Sequence, residues 1–340
     1  MVSKRGDKRE AVAQRPYRVD EVPFDEYYGD QHLRAAIDAL ADGDRGPFTE
    51  IYPTRPWSAF VDRRVAANVP LDVLRGWAES QPSAWTQSIY AEGLVHAAWE
   101  VRGRAFAKQV DANDWKPFAD LLTEADTVAR RAVALYPESP MPWRPMINVA
   151  KGLSLGIDEC RARFMQLHAR SPFDPDGCNR MLQALCQKWG GSHDEMFGFA
   201  RWVVQSSAPN SPARGVISQA HFEYAVAGSD DPARYLARLG TAEEQVTAVE
   251  GLLLEPTADP EVVEALNWFA YTVVPIDTAS SRVSRRVFSL LVDRPAEYPW
   301  IQLPWESRIR SPRRDTSVRS PPLASPGLVE LVSPRVSRPR

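Results

Sequence analysis

The sequence predicts an all-α fold: a solenoid of antiparallel helix pairs with flexible termini. Three observations predict it. Apolar residues recur at three- and four-residue steps through most of residues 23–307, the period of one helix face. No long run of strand-type alternation interrupts them. Proline breaks at Pro137, Pro172 and Pro209 stand 35 and 37 residues apart, and each interval holds two helical patterns. A period in the mid-thirties with two helices per unit makes the solenoid TPR-like, because a single helix hairpin cannot bury its apolar face and must be covered by its neighbours.

The elements follow in order. The first 22 residues mix charges with few large apolar groups and read as a flexible arm. Asp30 can cap a helix whose face is Leu33, Ala36, Ile37 and Leu40, with Gly43 as its stop. Residues 44–56, with Pro47, Pro53 and Pro56, read as a loop or broken helix. Helices over 57–69 and 70–79 come next, and Pro70 suits a first turn. A long helix over 83–102 takes Trp85, Ile89, Leu94, Ala97, Ala98 and Val101 as its apolar set, and Gly103 ends it. Its partner over 117–135 runs into a proline-rich break at 136–142, where proline lacks the N–H and restricts the residue before it.

Helices over 143–155 and 157–169 make one pair, and those over 176–189 and 192–206 the next. This last pair is the centre of the pattern. Met181, Leu182, Leu185 and Trp189 share a face, and Gly190 and Gly191 end the helix. Ser192 with Glu195 has the spacing of a capping box for the following helix, whose face is Met196, Phe199, Ala200 and Val203. Helices over 211–227, 232–239, 241–254, 259–274 and 279–292 complete the domain, the third of them opened by a second capping-box spacing from Thr241 to Glu244. Residues 298–305, with Trp300 and Trp305, are expected to pack back on the core in extended form. Residues 308–340 hold eight arginines and six prolines against Asp315 and Glu330, a basic tail of net +6 read as disordered. The preceding 307 residues are therefore acidic, near −9.

Composition narrows the function classes. The chain is 44% hydrophobic and 25% charged, as soluble globular proteins are, and its net charge of −3 gives no general nucleic-acid or membrane address. No apolar run approaches the ~20 residues that span a bilayer. The charged N-terminus lacks the apolar stretch of a secretory signal. Cys160, Cys178 and Cys186 are too few for a disulfide framework, so a cytoplasmic location is expected.

The repeat register is imperfect. Phe164 and Cys160 stand where such a repeat wants a large aromatic and a small residue on its second helix, but the same offsets from Pro209 land on Arg201 and Phe197. Trp202 and Gly198 would fit there, one residue out of register. Several segments are more specific than this period: the alanine-rich stretch 125–137 running into Pro137, Trp143, the run 185–200 containing Lys188-Trp189-Gly190-Gly191-Ser192, and His221-Phe222-Glu223. On these the chain, over roughly residues 25–300, resembles a bacterial domain-of-unknown-function family with a TPR-like helical core. The resemblance implies the fold and brings no activity with it.

No residue is assigned a catalytic, cofactor-binding or metal-ligating role. His32, His96, His168, His193 and His221 include no pair at metal-ligand spacing on one helix, and there is no Cys-x-x-Cys. The segment Lys188 to Ser192 could cradle an anion at a helix N-terminus, but Glu195 competes for the same donors. His221 and Glu223 point to different sides of their helix. The sequence therefore favours a non-enzymatic scaffold that binds a protein or peptide on its curved surface, with no membrane partner and nucleic acid only through the basic tail. The alternative is an enzyme or small-molecule sensor with a site between stacked repeats, near Lys188, Glu195, His221 and Glu223; these four with Trp189 are the candidate ligand or partner site. Eleven tryptophans fit packing between helices, and a few of them could line a groove.

Overall fold

In a computed structural model, the Asp30 carboxylate accepts a hydrogen bond from the Leu33 backbone N–H at 2.9 Å and starts α1, Gln31–Ala41. Leu33, Ala36, Ile37 and Leu40 are its buried face, and Gly43 ends it at φ +91°. The structure describes residues 25–52, 58–103, 111–229, 231–254 and 259–273, with 283, 286, 287, 290 and 291 as single helical positions. The predicted N-terminal arm, the segment 298–305, the arginine-rich tail and most of the predicted helix over 279–292 lie outside the described residues.

Residues 46–51, expected as a loop or broken helix, form the short α2, Gly46–Ile51, which buries Phe48 completely. Phe48 packs edge-on to Trp77 and stacks on Trp85, and that aromatic anchor offsets the cost of so short a helix. Then come α3 (Ala59–Asn68), α4 (Leu71–Ser80), α5 (Ala84–Arg102) and α6 (Trp115–Leu135). Ser83 caps α5 through a full capping box with Thr86, and Gly103 stops it at φ +70°. The apolar set read from the sequence covers only part of α5: Tyr90, Ala91 and Val95 are buried too, and so are Gln87, Ser88 and Glu92. A helix packed on several sides carries buried polar positions that an amphipathic pattern hides.

The chain continues through α7 (Trp143–Gly152), α8 (Ile157–Arg170), α9 (Pro175–Leu185) and α10 (His193–Ser206). The expected helix over 176–189 is shorter. Cys186 turns extended at ψ 144°, and Gln187–Trp189 form a separate 3-10 turn before Gly190 at φ +95°. Trp189 is therefore off the Met181–Leu185 face that its spacing suggested. Next follow α11 (Val216–Gly228), α12 (Pro232–Leu236), α13 (Leu239–Val249) and α14 (Pro260–Val273). The capping box expected from Thr241 to Glu244 is not made, because α13 starts two residues earlier, at Leu239. No β-strand occurs among the described residues, and no helix there is long and apolar enough to cross a membrane.

Helices adjacent in sequence pack against one another from α5 to α11. In addition α5 touches α7, α7 touches α9, and α9 touches α11, so these four make an inner row covered by α6, α8 and α10. The row is bound by buried charges. Arg144 on α7 donates from Nη2 to Asp174 Oδ2 at 2.7 Å and from Nη1 to Asp62 Oδ2 on α3 at 3.1 Å. Asp174 also caps α9 through the Gly177 N–H at 2.8 Å. Arg180 on α9 pairs with Asp176 and, at 2.7 Å, with Glu92 on α5. Arg63 on α3 joins Asp176 to Glu264 on α14, at 2.6 Å to each.

These carboxylates do not titrate alike. Burial would raise Asp176, but Arg180, Arg63 and Arg144 outweigh it and hold it at about 2. Burial pushes Asp62 up to about 7, because the Arg144 charge it leans on is shared with Asp174. A raised carboxyl keeps its proton in the folded state between the unfolded value, 3.8, and about 7. Its contribution is thus present in acid and lost as pH rises through 7. Asp62→Asn cannot ionise and keeps an acceptor for Arg144. It is expected to gain on the order of 1 kcal/mol over the parent between pH 5 and pH 8, measured by urea unfolding at both pH values. A difference that does not change with pH would remove Asp62 as the titrating group.

Candidate functional site

The residues singled out by the sequence separate into three places. Lys188 Nζ pairs with Glu223 Oε2 at 2.7 Å, and Glu223 Oε1 accepts from Gln183 Nε2 at 2.7 Å. Trp189, on the same turn as Lys188, meets Trp99 of α5 edge-on at 5.5 Å between ring centroids. Glu195 lies elsewhere. It accepts a hydrogen bond from the Ser192 hydroxyl and pairs with Arg161 of α8, and the hydroxyl first, then Arg161, lowers its pKa. His221 faces a third direction, with Nδ1 at 2.6 Å from the Tyr235 hydroxyl and Nε2 at 3.0 Å from Glu244 Oε2. The hydrogen bond to His221, then that to Arg201, holds Glu244 at about 2. The five residues do not converge on one pocket; Lys188, Trp189 and Glu223 stay together and Glu195 and His221 leave.

Two neighbours of this group, Gln183 beside Glu223 and Trp99 beside Trp189, though none of the three themselves, line a cleft of about 410 Å³ between α3, α5, α7 and α9. Each helix turns a stripe of helical spacing into it: Arg63 and Ala67 from α3, Glu92, His96 and Trp99 from α5, Asn148 and Lys151 from α7, and Asp176, Arg180 and Gln183 from α9. Positions three and four apart share a face, so these side chains align along the inner row. Arg63, Glu92, Asp176 and Arg180 belong to the buried ion-pair network and are rigidly held.

Lys151 differs from them. Its ammonium lies 4.9 Å from the Trp99 ring centroid and 5.3 Å from that of Trp189, and it makes no ion pair or hydrogen bond to the described residues. Burial, then the charges of Arg180 and Lys188, push its pKa down to about 8. Arg102 also sits against both tryptophans, at 5.3 and 5.2 Å. Ring faces attract cations, but they return less than a carboxylate would. One turn before Lys151, Asn148 Oδ1 is buried with no hydrogen-bond partner. The cleft thus offers a desolvated cation, an unused amide oxygen and an aromatic wall.

Sequence reasoning missed Lys151, Trp99, Asn148 and Arg180. The signal lay in polar residues at helical spacing on otherwise apolar helices, Glu92–His96–Trp99 and Arg144–Asn148–Lys151, which cross the buried face instead of the solvent face.

A second, apolar groove of about 350 Å³ lies between α8, α9 and α10. Its walls are Phe164, Met165, Met181, Leu185, Phe199 and Trp202, and Arg161 and Glu195 stand at its edge. Met165 is 52% exposed and Trp202 37%, whereas Trp77 is sealed in the core. The three thiols are free and buried, and burial raises each pKa, that of Cys186 to about 12. Inert packing is their chemistry. No cluster of three or more metal-ligating side chains occurs among the described residues.

Compared with known proteins, the chain matches no family model, and no curated protein is significantly similar to it.

Proposed function

We propose that this chain is a ligand-binding helical-repeat protein whose inner-row cleft takes a small organic anion bearing a hydroxyl or amino group. The observation that carries this reading is the pair Lys151 and Asn148, one helical turn apart on the cleft wall: among the described residues the ammonium has only ring faces and no carboxylate, and Asn148 Oδ1 has no hydrogen-bond donor. A carboxylate or phosphate would supply the charge that Lys151 lacks, and a ligand N–H or O–H would satisfy Asn148 Oδ1. Burying a charge or a polar group unpaired costs free energy that such a ligand returns. The alternation of inner and outer helices supports a TPR-like solenoid, with the cleft on the row where such stacks hold their ligands together from several repeats. Three reduced, buried cysteines agree with a cytoplasmic setting.

The test is calorimetric titration of the full chain with lactate and with small amino acids, on the parent and on Lys151→Met. The variant is expected to lose roughly ten- to a hundredfold in affinity, about 1–3 kcal/mol for a hydrogen bond to a charged group. The unliganded variant is expected to be more stable than the parent by on the order of 1 kcal/mol, because a half-buried cation without a carboxylate partner has been removed. Equal affinity and an unchanged melting point would sink the reading.

A protein- or peptide-binding scaffold is the second reading, favoured by the exposed apolar groove. Its walls suit the bulky side chains of an amphipathic partner helix, which presents anchors on one face. Trp202→Ala should weaken capture of such a helix and leave lactate binding unchanged.

A further inference from the structure

We propose that Lys151 is a nucleophile that condenses with the carbonyl carbon of a small oxo acid held in the cleft. The inference rests on the anion-binding reading of the same cleft and goes beyond it by assigning a covalent step: the ammonium that attracts the oxo acid's carboxylate first gives one proton to water, and the neutral amine then attacks. Nζ adds to the carbonyl carbon to give a carbinolamine. The carbonyl oxygen then leaves as water with both amine hydrogens, and a C=N double bond to Lys151 remains. The step needs no oxidant or reductant and is reversible.

Three observations point to it. Lys151 is the amine on the cleft wall, and no carboxylate among the described residues pins it as a permanent cation, unlike Lys188 with Glu223 or Lys116 with Asp120. Its surroundings, burial plus Arg180 and Lys188, favour the neutral amine that attacks carbonyls. The chain also holds only six lysines, at positions 4, 8, 108, 116, 151 and 188, among 41 basic residues. Where charge alone is needed in the interior it uses arginine, as at Arg144, Arg163 and Arg180. Arginine does not deprotonate in proteins, so a lysine at this position brings chemistry an arginine cannot. Trp99 and Trp189 wall the amine from bulk water, and the open side of the cleft lets substrate in and water out.

The experiment uses the full-length parent with glyoxylate and sodium cyanoborohydride, which reduces the imine to a stable secondary amine, followed by peptide mapping. Lys151 is expected to be modified at least about tenfold faster than the exposed Lys116, since a lowered pKa leaves far more free amine near neutral pH. Lactate, which fills the cleft but has no carbonyl, should slow that modification and leave Lys116 unaffected. Modification of Lys151 no faster than Lys116, with lactate still binding, would overturn the nucleophile and spare the anion site. Fast modification of Lys151 by both propanal and glyoxylate, with no protection by lactate, would keep the nucleophile and overturn the anion site. Because these readouts come from the parent protein, no variant needs to fold.

Discussion

Arg144→Met is expected to lose about 3–5 kcal/mol of stability, the cost of breaking a buried ion pair from one side. The side chain is 5% exposed, and it holds Asp174 and Asp62 at once. Methionine fills most of the same volume, so the loss is chiefly electrostatic: Asp174 stays in the interior without its cation, and Asp62 must take up a proton to stay there. Both ends matter to the architecture, since Asp174 caps α9 and Asp62 belongs to α3. Domains of ordinary stability have about 5–15 kcal/mol in all, so the variant should be substantially unfolded at moderate urea. Chemical denaturation followed by circular dichroism checks it. The double variant Arg144→Met/Asp62→Asn should recover part of the loss, because asparagine is neutral without the proton uptake that burial demands of Asp62. A double variant no more stable than the single one would mean that Asp62 does not depend on Arg144.

Gly191→Ala is the second large effect. A Cβ at Gly191 would stand 2.1 Å from the Leu185 carbonyl oxygen and 2.5 Å from its carbon, both backbone atoms that cannot swing aside. The turn between α9 and α10 must therefore open, and the Gly191 N–H bond to the Cys186 carbonyl, 3.3 Å long, goes with it. Overpacking of this kind costs about 1–3 kcal/mol, with the upper end expected where backbone must move. Gly198→Ala is the matched control: on α10 nothing lies within 4 Å of the new methyl, and a helical alanine there should stabilise by about 0.5–1 kcal/mol. The same turn carries Lys188 and Trp189, so Gly191→Ala should also weaken lactate binding by drawing Trp189 away from Lys151 and Trp99. Equal melting points for the two alanine variants would contradict this account of the turn.

Proline and glycine punctuation made most helix ends legible. Pro137, Pro172 and Pro209 all fall in breaks between helices, and Gly43, Gly103 and Gly190 end their segments with positive φ. The one-sided helix α1 was legible for the same local reason: it buries the residues its spacing marks. What was not legible depends on neighbours distant in sequence. Helix α2 exists because Phe48 finds Trp77 and Trp85. Helix α5 buries Glu92 because Arg180, 88 residues away, meets it. Of the site, Lys188, Trp189 and Glu223 were visible through an unusual local segment. Lys151 was not, since its character comes from Trp99, Trp189 and Arg180, contributed by other elements. Stacking assembles such a site from single residues on successive helices, and no local motif records it.

The Arg63–Glu264 pair joins positions 201 residues apart. At a synthesis rate of about 5–20 residues per second, Arg63 leaves the ribosome roughly 10 to 40 s before Glu264 exists. Asp176 arrives first, so during translation Arg63 has one of its two carboxylates and the α3 edge of the stack waits for α14. The finished molecule thus has α3 clasped to α14, and loss of α14 would be felt at Arg63 in the middle of α3.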